Sequence, residues 1–545
     1  MTADLNPAQR AASLAAATSG THDVIVVGGG VTGAGAALDA ALRGLSVVLV
    51  EAGDLAAGTS SRSGKTFHGG LRYLEQLNFS LVRSALKERD LMVDVICPHL
   101  ASPEPFLYPL TRHWERPYVG AGIALYDLMA SRRSRIPRHR HYTRAGALRL
   151  APALDPATIT GAIRYFDVRV DDARHTMTVA RTAARFGAHI LTRMPVVDVV
   201  RTGGATVHGV LVEDSLTGRR HEILGRVVVN AAGVWAAKIQ SMAQSPTFAV
   251  RPAKGVHLVI PNSAIDSESG ILARADDSVL VIRKWFDHWI IGTTDTAWDR
   301  DLGAPVADGT DIDYLLNNTN RYLRRKLTRH DLVGVYAGLR PLLAPVNKDT
   351  ATTSALSRDH SVIRGPAGMV TVVGGKYTTY RLMAADAIEA AARQMGRTVP
   401  ASSTATQPLI GAEGWHSIRT QAASRAAGHG IDAAQTDRML GRYGDRIVEV
   451  LDLADESPTL AQPVAGLPGY VGAEVVHSVT AEGAMTVEDV LQRRSHGAIE
   501  TSDAGATAAA EVARLMAGPM EWDEREQDKQ VRAYISAVHR ERVAL

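Results

Sequence analysis

Apolar and polar positions near the start of the chain change period twice within thirty residues. Val24–Val27 is an unbroken β-branched run, the composition of a parallel strand buried on both faces. The alanine-rich stretch Ala34–Arg43 then has helical spacing up to Gly44, and LSVVLV returns to a strand. Strand, helix and strand in this order predict a βαβ unit. Further on, SVLVIRKWFDHWIIGTTDT reads as two apolar runs around a turn near Asp287. ATVHGVLVEDSLTGRRHEILGRVVVN reads the same way around Thr217–Gly218, and both predict antiparallel hairpins suited to a sheet that covers a substrate. The first twenty residues carry no such pattern and predict a frayed or loosely docked arm. After about residue 400 the texture changes. VPASSTATQPLIGAEG reads as a linker, and AAQTDRMLGRYGDRIVEVLDLA and TVEDVLQRRSHGAIETSDAGATAAAEVARLMA read as helices. A mainly helical C-terminal domain follows, with packing, capping or oligomer contact (a homodimer among them) as its default role.

The chemistry of the first unit lies in its turn. Gly28, Gly30 and Gly33 form G-x-G-x-x-G between strand and helix, and Glu51 ends the second strand. The first glycine permits the tight turn, the second lets a pyrophosphate approach the backbone, and the third lets the helix pack on the strand. The helix N-terminus offers free N–H groups to phosphate, and the acid accepts from a ribose. A lone glycine triplet is weak, but here every part occurs in order. A nicotinamide enzyme would continue with further βα units; instead DLAAGTSSRSGKTFHGG follows, whose Thr59, Ser60 and Ser61 suit the inner phosphates and ribityl chain of an extended FAD. GRVVVNAAGVWAA, with Gly233, and GMVTVVGGKYTTYRLMAADAIEAA, with Gly374 and Gly375, each run from strand through small residues into a helix. Three such approaches favour one FAD held at three places. The cofactor set is Gly28, Gly30, Gly33, Glu51, Thr59, Ser60, Ser61, Lys65, Val197, Gly233, Gly375, Lys376 and Thr378.

Composition narrows the class. The 545 residues are 46% apolar and 21% charged with a formal net charge of +3, which argues against a nucleic-acid binder. A single cysteine, Cys97, excludes an intrachain disulfide and a thiolate metal cluster and fits a reducing cytosolic compartment; no metal is expected. The N-terminal residues lack the order of a signal peptide, and no apolar run reaches the length of a membrane span.

The segments DVIVVGGGVTGAG, TSSRSGKTFHGGLRYLE, VDDARHT, RPAKGVHLVIP, IIGTTDT, YAGLRPLL, SALSRDH and VVGGKYTTYRLMA resemble, in this order, the FAD-dependent glycerol-3-phosphate dehydrogenases. The resemblance spans roughly residues 20–395 and continues more weakly beyond. It implies an α/β fold: a Rossmann-like FAD-binding domain (residues 21–95, 170–240 and 335–398) interleaved with an antiparallel-sheet substrate domain (96–169 and 241–334), and a helical domain over 399–545. It also implies oxidation of sn-glycerol 3-phosphate to dihydroxyacetone phosphate, hydride transfer to non-covalent FAD, and a membrane quinone as acceptor. The protein would then sit peripherally on the inner face of the cell membrane.

A phosphorylated secondary alcohol needs fixed cations and a proton acceptor. Arg72, Arg340 and Arg358 are the phosphate candidates, since the guanidinium fork matches phosphate oxygens. Tyr73 and Thr294 line the same pocket in this reading, and Arg340 and Lys376 also belong to the catalytic set, Lys376 stabilising the alkoxide or the reduced ring. His68 is either the general base or a flavin-contacting histidine, and His257 is a second candidate. The segment YVGAGIALYDLMASRRSRIPRHRHY sets an apolar stretch before Arg132, Arg133, Arg135, Arg138 and Arg140, either a membrane-surface contact or a buried helix followed by a solvated loop. Alternatives are an oxidase using dioxygen, a related flavoenzyme for a 2-hydroxy acid or amine, and a non-catalytic FAD module.

Overall fold

The computed structural model describes residues 3–131, 134–202, 206–243, 248–276, 279–345 and 359–542. Arg132, Arg133 and Arg358 therefore lie outside the described residues. Along the chain run α1 (Pro7–Thr18), β1 (Thr21–Val27), α2 (Val31–Leu42), β2 (Val47–Val50), α3 (Glu115–Met129), β3 (Gly161–Val170) and β4 (Arg220–Asn230). They are followed by β5 (Phe248–Pro261), β6 (Val279–Trp285), β7 (His288–Gly292), β8 (Gly334–Pro345), β9 (Met369–Gly374) and α4 (Tyr380–Gln394).

Two sheets organise the molecule. In the first, β9, β4, β1 and β2 lie side by side and parallel, with Val24 opposite both Val47 and Val227. The β-branched run is buried on both faces, as its composition requires. All four strands end at one edge, where ligands of open α/β sheets bind. In the second sheet β5 pairs with β7 and β8, β7 with β6, and β3 lies further along; every one of these neighbours is antiparallel except where Gly270–Arg274 meets Ala101–Leu110. The hairpin β6–β7 turns at Phe286–Asp287 as its pattern predicts.

Two expectations are corrected. The hairpin around Thr217–Gly218 joins the first sheet, because β4 is at once its second strand and the parallel neighbour of β1; only β6–β7 belongs to the substrate-side sheet. The N-terminal segment is docked rather than frayed. Asn6 caps α1, Ser13 and Ala17 are buried, Arg10 pairs with Asp214 at 2.8 Å, and Leu5 bridges to Glu482. Its weak apolar pattern conceals a polar anchorage.

Beyond Arg419 the chain is helical, including Ala433–Tyr443, Gly472–Thr480 and Glu524–Glu541. The linker before it is pinned: Leu409 and Ile410 are buried, and the Ile410 N–H donates to the Thr182 hydroxyl at 3.1 Å.

Candidate active site

One cavity of about 1440 Å³ runs from the ends of the parallel strands to the face of the second sheet. It exceeds the roughly 300–1,000 Å³ typical of a single ligand pocket, leaving room for a small molecule beside a large one.

The cofactor end grows out of local sequence. Gly28, after β1, has φ +111°, and a Cβ there would stand 2.7 Å from the Ala231 carbonyl oxygen. Gly30 caps α2, and a Cβ on Gly33 would collide with the Gly28 carbonyl, so the third glycine serves packing and stands behind the cavity wall. The Ser60 hydroxyl accepts from Val31 N–H at 2.9 Å at the start of α2. Glu51 accepts from Gly29 N–H at 2.5 Å and Gly53 N–H at 2.7 Å, and burial holds its carboxyl above the usual range. Thr59 donates to Leu339 O at 2.6 Å, joining this loop to β8. Gly28, Gly30, Glu51, Thr59, Ser60, Gly233, Gly375 and Lys376 all line the cavity. A backbone cradle free of side chains, a helix N-terminus and an acid at the tip of the second strand are what a dinucleotide requires, so these residues fit FAD.

Other expected cofactor contacts lie elsewhere. Lys65 is a correction: its ammonium is buried and pairs with Asp172 at 2.7 Å and Ser61 O at 3.1 Å, behind the wall. Ser61 and Val197 also stand outside the lining, Val196 lining it instead. The Thr378 hydroxyl meets His68 N and His68 O, both at 3.2 Å, and so fixes the backbone of that histidine.

At the substrate end, His68, Arg72, Tyr73, His257, Thr294, Arg340 and Lys376 all line the cavity, drawn from five separated segments. Lys376 Nζ lies 3.5 Å above the Tyr73 ring centroid, a close cation–π contact. Arg340 is set by three acceptors: Nη1 donates to Thr294 O at 3.1 Å and Asp295 Oδ1 at 3.3 Å, and Nη2 to Thr293 Oγ1 at 3.1 Å. The Thr294 hydroxyl accepts from Val256 N–H at 3.0 Å, so it serves β5, and the neighbouring Thr293 hydroxyl faces the arginine. His257 stacks on Tyr336, with centroids 4.8 Å apart, and burial, with Arg340, Lys65 and Arg283 nearby, pushes its pKa down to about 3.

Sequence reading missed the support behind His68. The Gly69 N–H donates to Tyr126 Oη at 2.8 Å and Asp167 Oδ1 at 3.3 Å; Tyr126 donates to the same carboxylate at 2.6 Å, and Arg89 does so at 3.1 Å. Asp167 is buried in β3 and its carboxyl is raised by that burial. A buried acid inside a strand is a signal only once its partners on Ala85–Asp90 and α3 are known. At the mouth, Leu77, Phe79 and Tyr118 are exposed, with Leu77 73% accessible; Leu128 on α3 is equally exposed nearby. Arg135, Arg138 and Arg140 are exposed just beyond α3.

Residues 23–381 match the family model of the FAD dependent oxidoreductases, and residues 402–527 that of the C-terminal domain of alpha-glycerophosphate oxidase. The chain is 49% identical over 541 residues to glycerol-3-phosphate dehydrogenase 2 of Mycobacterium tuberculosis, covering 99% of this chain and 92% of that protein. It is 33% identical over 546 residues to the mitochondrial glycerol-3-phosphate dehydrogenase of Homo sapiens, covering 96% and 74%. The fold superimposes on the X-ray structure of the glycerol-3-phosphate dehydrogenase from Bacillus halodurans complexed with FAD, with a TM-score of 0.82 and 27% identity over 99% of each chain. A glycine cradle and a cationic wall sharing one cavity thus coincide with kinship along the whole length: the chain belongs to the FAD-dependent oxidoreductases and, among them, to the glycerol-3-phosphate dehydrogenases.

Proposed function

We propose that the protein oxidises the secondary hydroxyl of sn-glycerol 3-phosphate to give dihydroxyacetone phosphate and passes the electrons to a membrane quinone. The observation that carries this reading is the convergence of Arg72, Arg340 and Lys376 on the cavity that also holds the dinucleotide cradle. The substrate phosphate carries about −1.5 to −2 charges near neutral pH, and these cations oppose it. Bound FAD supplies the hydride acceptor.

The residues divide the remaining work. Arg340, held by Thr293, Thr294 and Asp295, presents its fork to phosphate oxygens in a fixed orientation. Lys376, seated on the Tyr73 ring, adds positive charge where the hydroxyl loses its proton. A base that takes this proton at an imidazole nitrogen works best with a pKa near the operating pH. His257, at about 3, is too weak a base for that task. His68, with its backbone pinned by Thr378 and Gly69 pinned by Tyr126, takes the role.

The acceptor reading rests on the mouth. No helix among the described residues is long and apolar enough to cross a membrane. Exposed Leu77, Phe79, Tyr118, Leu125 and Leu128, together with the exposed Arg135, Arg138 and Arg140 that follow α3 in the chain, suit docking on an anionic bilayer face, where an apolar quinone enters beside the cavity. The C-terminal match to an oxidase domain favours dioxygen as a second reading. Anaerobic titration of the yellow protein with sn-glycerol 3-phosphate, with glycerol as control, tests the substrate: bleaching of the flavin by the phosphate ester alone supports it. No bleaching of FAD-loaded protein refutes it. Reduction of a short-chain quinone outpacing oxygen uptake supports the acceptor, and the reverse establishes the oxidase.

A further inference from the structure

The C-terminal helical domain has no side chain in the cavity wall among the described residues, yet it grips the loops that form the wall. Glu51, in the position that meets the ribose in this binding unit, is followed three residues later by Asp54, which is 1% exposed. Asp54 Oδ2 accepts from Arg493 Nε at 2.6 Å and Arg494 Nη1 at 2.7 Å, and Oδ1 from Arg494 Nη2 at 2.9 Å. Opposite, the loop 191–194 pairs with the Glu51 loop: Arg193 N–H donates to Gly53 O at 2.9 Å and Met194 N–H to Glu51 O at 2.7 Å. That second loop is held from the same place, because Arg193 Nη2 donates to both oxygens of Asp489 at 2.6 and 2.7 Å. Asp489 also accepts from Arg493 Nη2 at 2.6 Å and from the N–H groups of Met485 and Thr486. Ala52, Gly53, Met194 and Pro195, from the two gripped loops, line the cavity directly.

We infer that the C-terminal domain is a cofactor-retention clamp: the buried Asp54–Arg493–Arg494 and Arg193–Asp489 pairs fix the two loops around Glu51, and so set how tightly the adenosine half of FAD is held. The reasoning is geometric. The Glu51 carboxylate accepts hydrogen bonds from the Gly29 and Gly53 N–H groups, and its backbone carbonyl accepts from Met194 N–H. Its carboxylate cannot hold its place unless the segment 51–54 is fixed. Asp54 is the only acid of that segment turned away from the cavity, and both of its cationic partners come from residues more than 430 positions away. Bidentate arginine pairs of this kind impose orientation as well as charge neutralisation. Asp54, Arg493 and Arg494 are thus positioning residues, acting through Glu51, and the role is independent of which alcohol is oxidised.

The test compares flavin binding in three full-length variants. Arg494→Lys keeps the charge and loses the fork; Asp54→Asn keeps the shape and loses the charge. Arg442→Lys is the control, since Arg442 pairs with Glu474 at 2.6 Å wholly within the C-terminal domain. FAD is removed, and FAD and ADP are titrated separately into each apoprotein, with circular dichroism to report folding. The clamp predicts that Arg494→Lys and Asp54→Asn weaken FAD and ADP binding in parallel by about tenfold or more, which corresponds to about 1.4 kcal/mol. Arg442→Lys shifts either constant by less than about twofold even if it lowers the melting temperature. ADP carries the argument, because it reports the adenosine half alone. Unchanged FAD and ADP affinity in folded Arg494→Lys overturns the proposal, whether or not Asp54→Asn folds. So does an equal loss in Arg442→Lys, which would make the domain a general stabiliser only.

Discussion

Replacing Arg340 by lysine separates charge from geometry at the centre of the cationic wall. Arg340 lies on β8 opposite Ala253, and a Cβ added at Gly255 would stand 2.6 Å from Arg340 Nη2, so the glycine leaves the guanidinium its space. Three acceptors orient it, two on backbone or carboxylate oxygens and one on the Thr293 hydroxyl. An ammonium retains the charge but offers no planar fork and cannot span those acceptors together. What is lost towards a phosphate is about one charge-assisted hydrogen bond, roughly 1.5–3 kcal/mol, or about 10- to 150-fold in kcat/KM. The assay is anaerobic rapid mixing with flavin absorbance as readout, using sn-glycerol 3-phosphate and glycerol in parallel. The phosphate ester should lose that factor, while any flavin reduction by glycerol, which has no phosphate to meet Arg340, should change by less than about threefold. Equal losses on both substrates would refute the phosphate role and move Arg340 to the reacting oxygen. No loss on either would remove it from the site.

Four further outcomes follow from the same geometry. Tyr73→Phe keeps the ring under Lys376 and Tyr73→Leu removes it; if the ring is what matters, only the leucine variant loses substantial kcat, by about three- to tenfold, and equal losses would assign the work to the hydroxyl. Tyr126→Phe takes the 2.8 Å acceptor from Gly69 N–H and should lower kcat/KM by about tenfold with FAD content unchanged; wild-type kinetics would deny Tyr126 any hold on the His68 loop. His175 is buried with its pKa pushed down to about 3, so it is neutral when folded and protonates on unfolding below about pH 6.5. The unfolded chain then binds the extra proton, and stability falls as pH falls: urea melts should show wild type losing about 1.4 kcal/mol per pH unit relative to His175→Phe between pH 6 and 4, and a pH-independent difference would contradict the burial argument. Leu125→Ser combined with Leu128→Ser should abolish co-sedimentation with anionic phospholipid vesicles and leave reduction by sn-glycerol 3-phosphate intact; unaltered sedimentation would move the docking face elsewhere.

What the sequence disclosed and what it hid differ in range. The glycine turn, β1, α2, β2 and Glu51 are legible because all their determinants lie within thirty residues and each has one physical purpose. The hairpin β6–β7 is legible for the same reason. The sheet to which the hairpin ending in β4 belongs is not legible, because local pattern announces a strand but not its second neighbour, here β1. Thr294 lines the cavity, but only the hydrogen bond from Val256 N–H shows that its hydroxyl serves backbone while that of the neighbouring Thr293 accepts from Arg340. The linker and the N-terminal arm look polar and unstructured because isolated apolar residues (Leu5, Ala17, Leu409, Ile410), with hydrogen bonds and ion pairs, hold them in place of an apolar stripe. The C-terminal segments showed no chemistry because their acids and arginines acquire meaning only opposite Asp54 and Arg193.

Lys65 shows why the loop that carries His68 is built as it is. A sheet of parallel strands offers a ligand its carboxyl edge and little else; the groups that recognise a small anionic alcohol must come from another surface. The chain meets this need by crossing between sheets within a few residues. Ser60 still bonds to the first turn of α2, whereas Thr66 and Phe67 already pair with Arg169 and Val168 at the end of β3 in the second sheet. Such a crossing exposes backbone at the seam unless something fills it. The Lys65–Asp172 pair does so: both groups are buried, and Asp172 also accepts from Ser63 N–H at 3.0 Å and from its hydroxyl at 2.7 Å. Breaking a buried pair of this kind by removing one partner costs about 3–5 kcal/mol, enough to free the crossing and everything it carries. The basic residues of GKTFHGGLRYLE therefore have separate tasks. Lys65 fastens the crossing to the start of the helix Asp172–Arg185 that follows β3, and the rigidity it imposes lets His68, Arg72 and Tyr73 face the cavity from fixed positions.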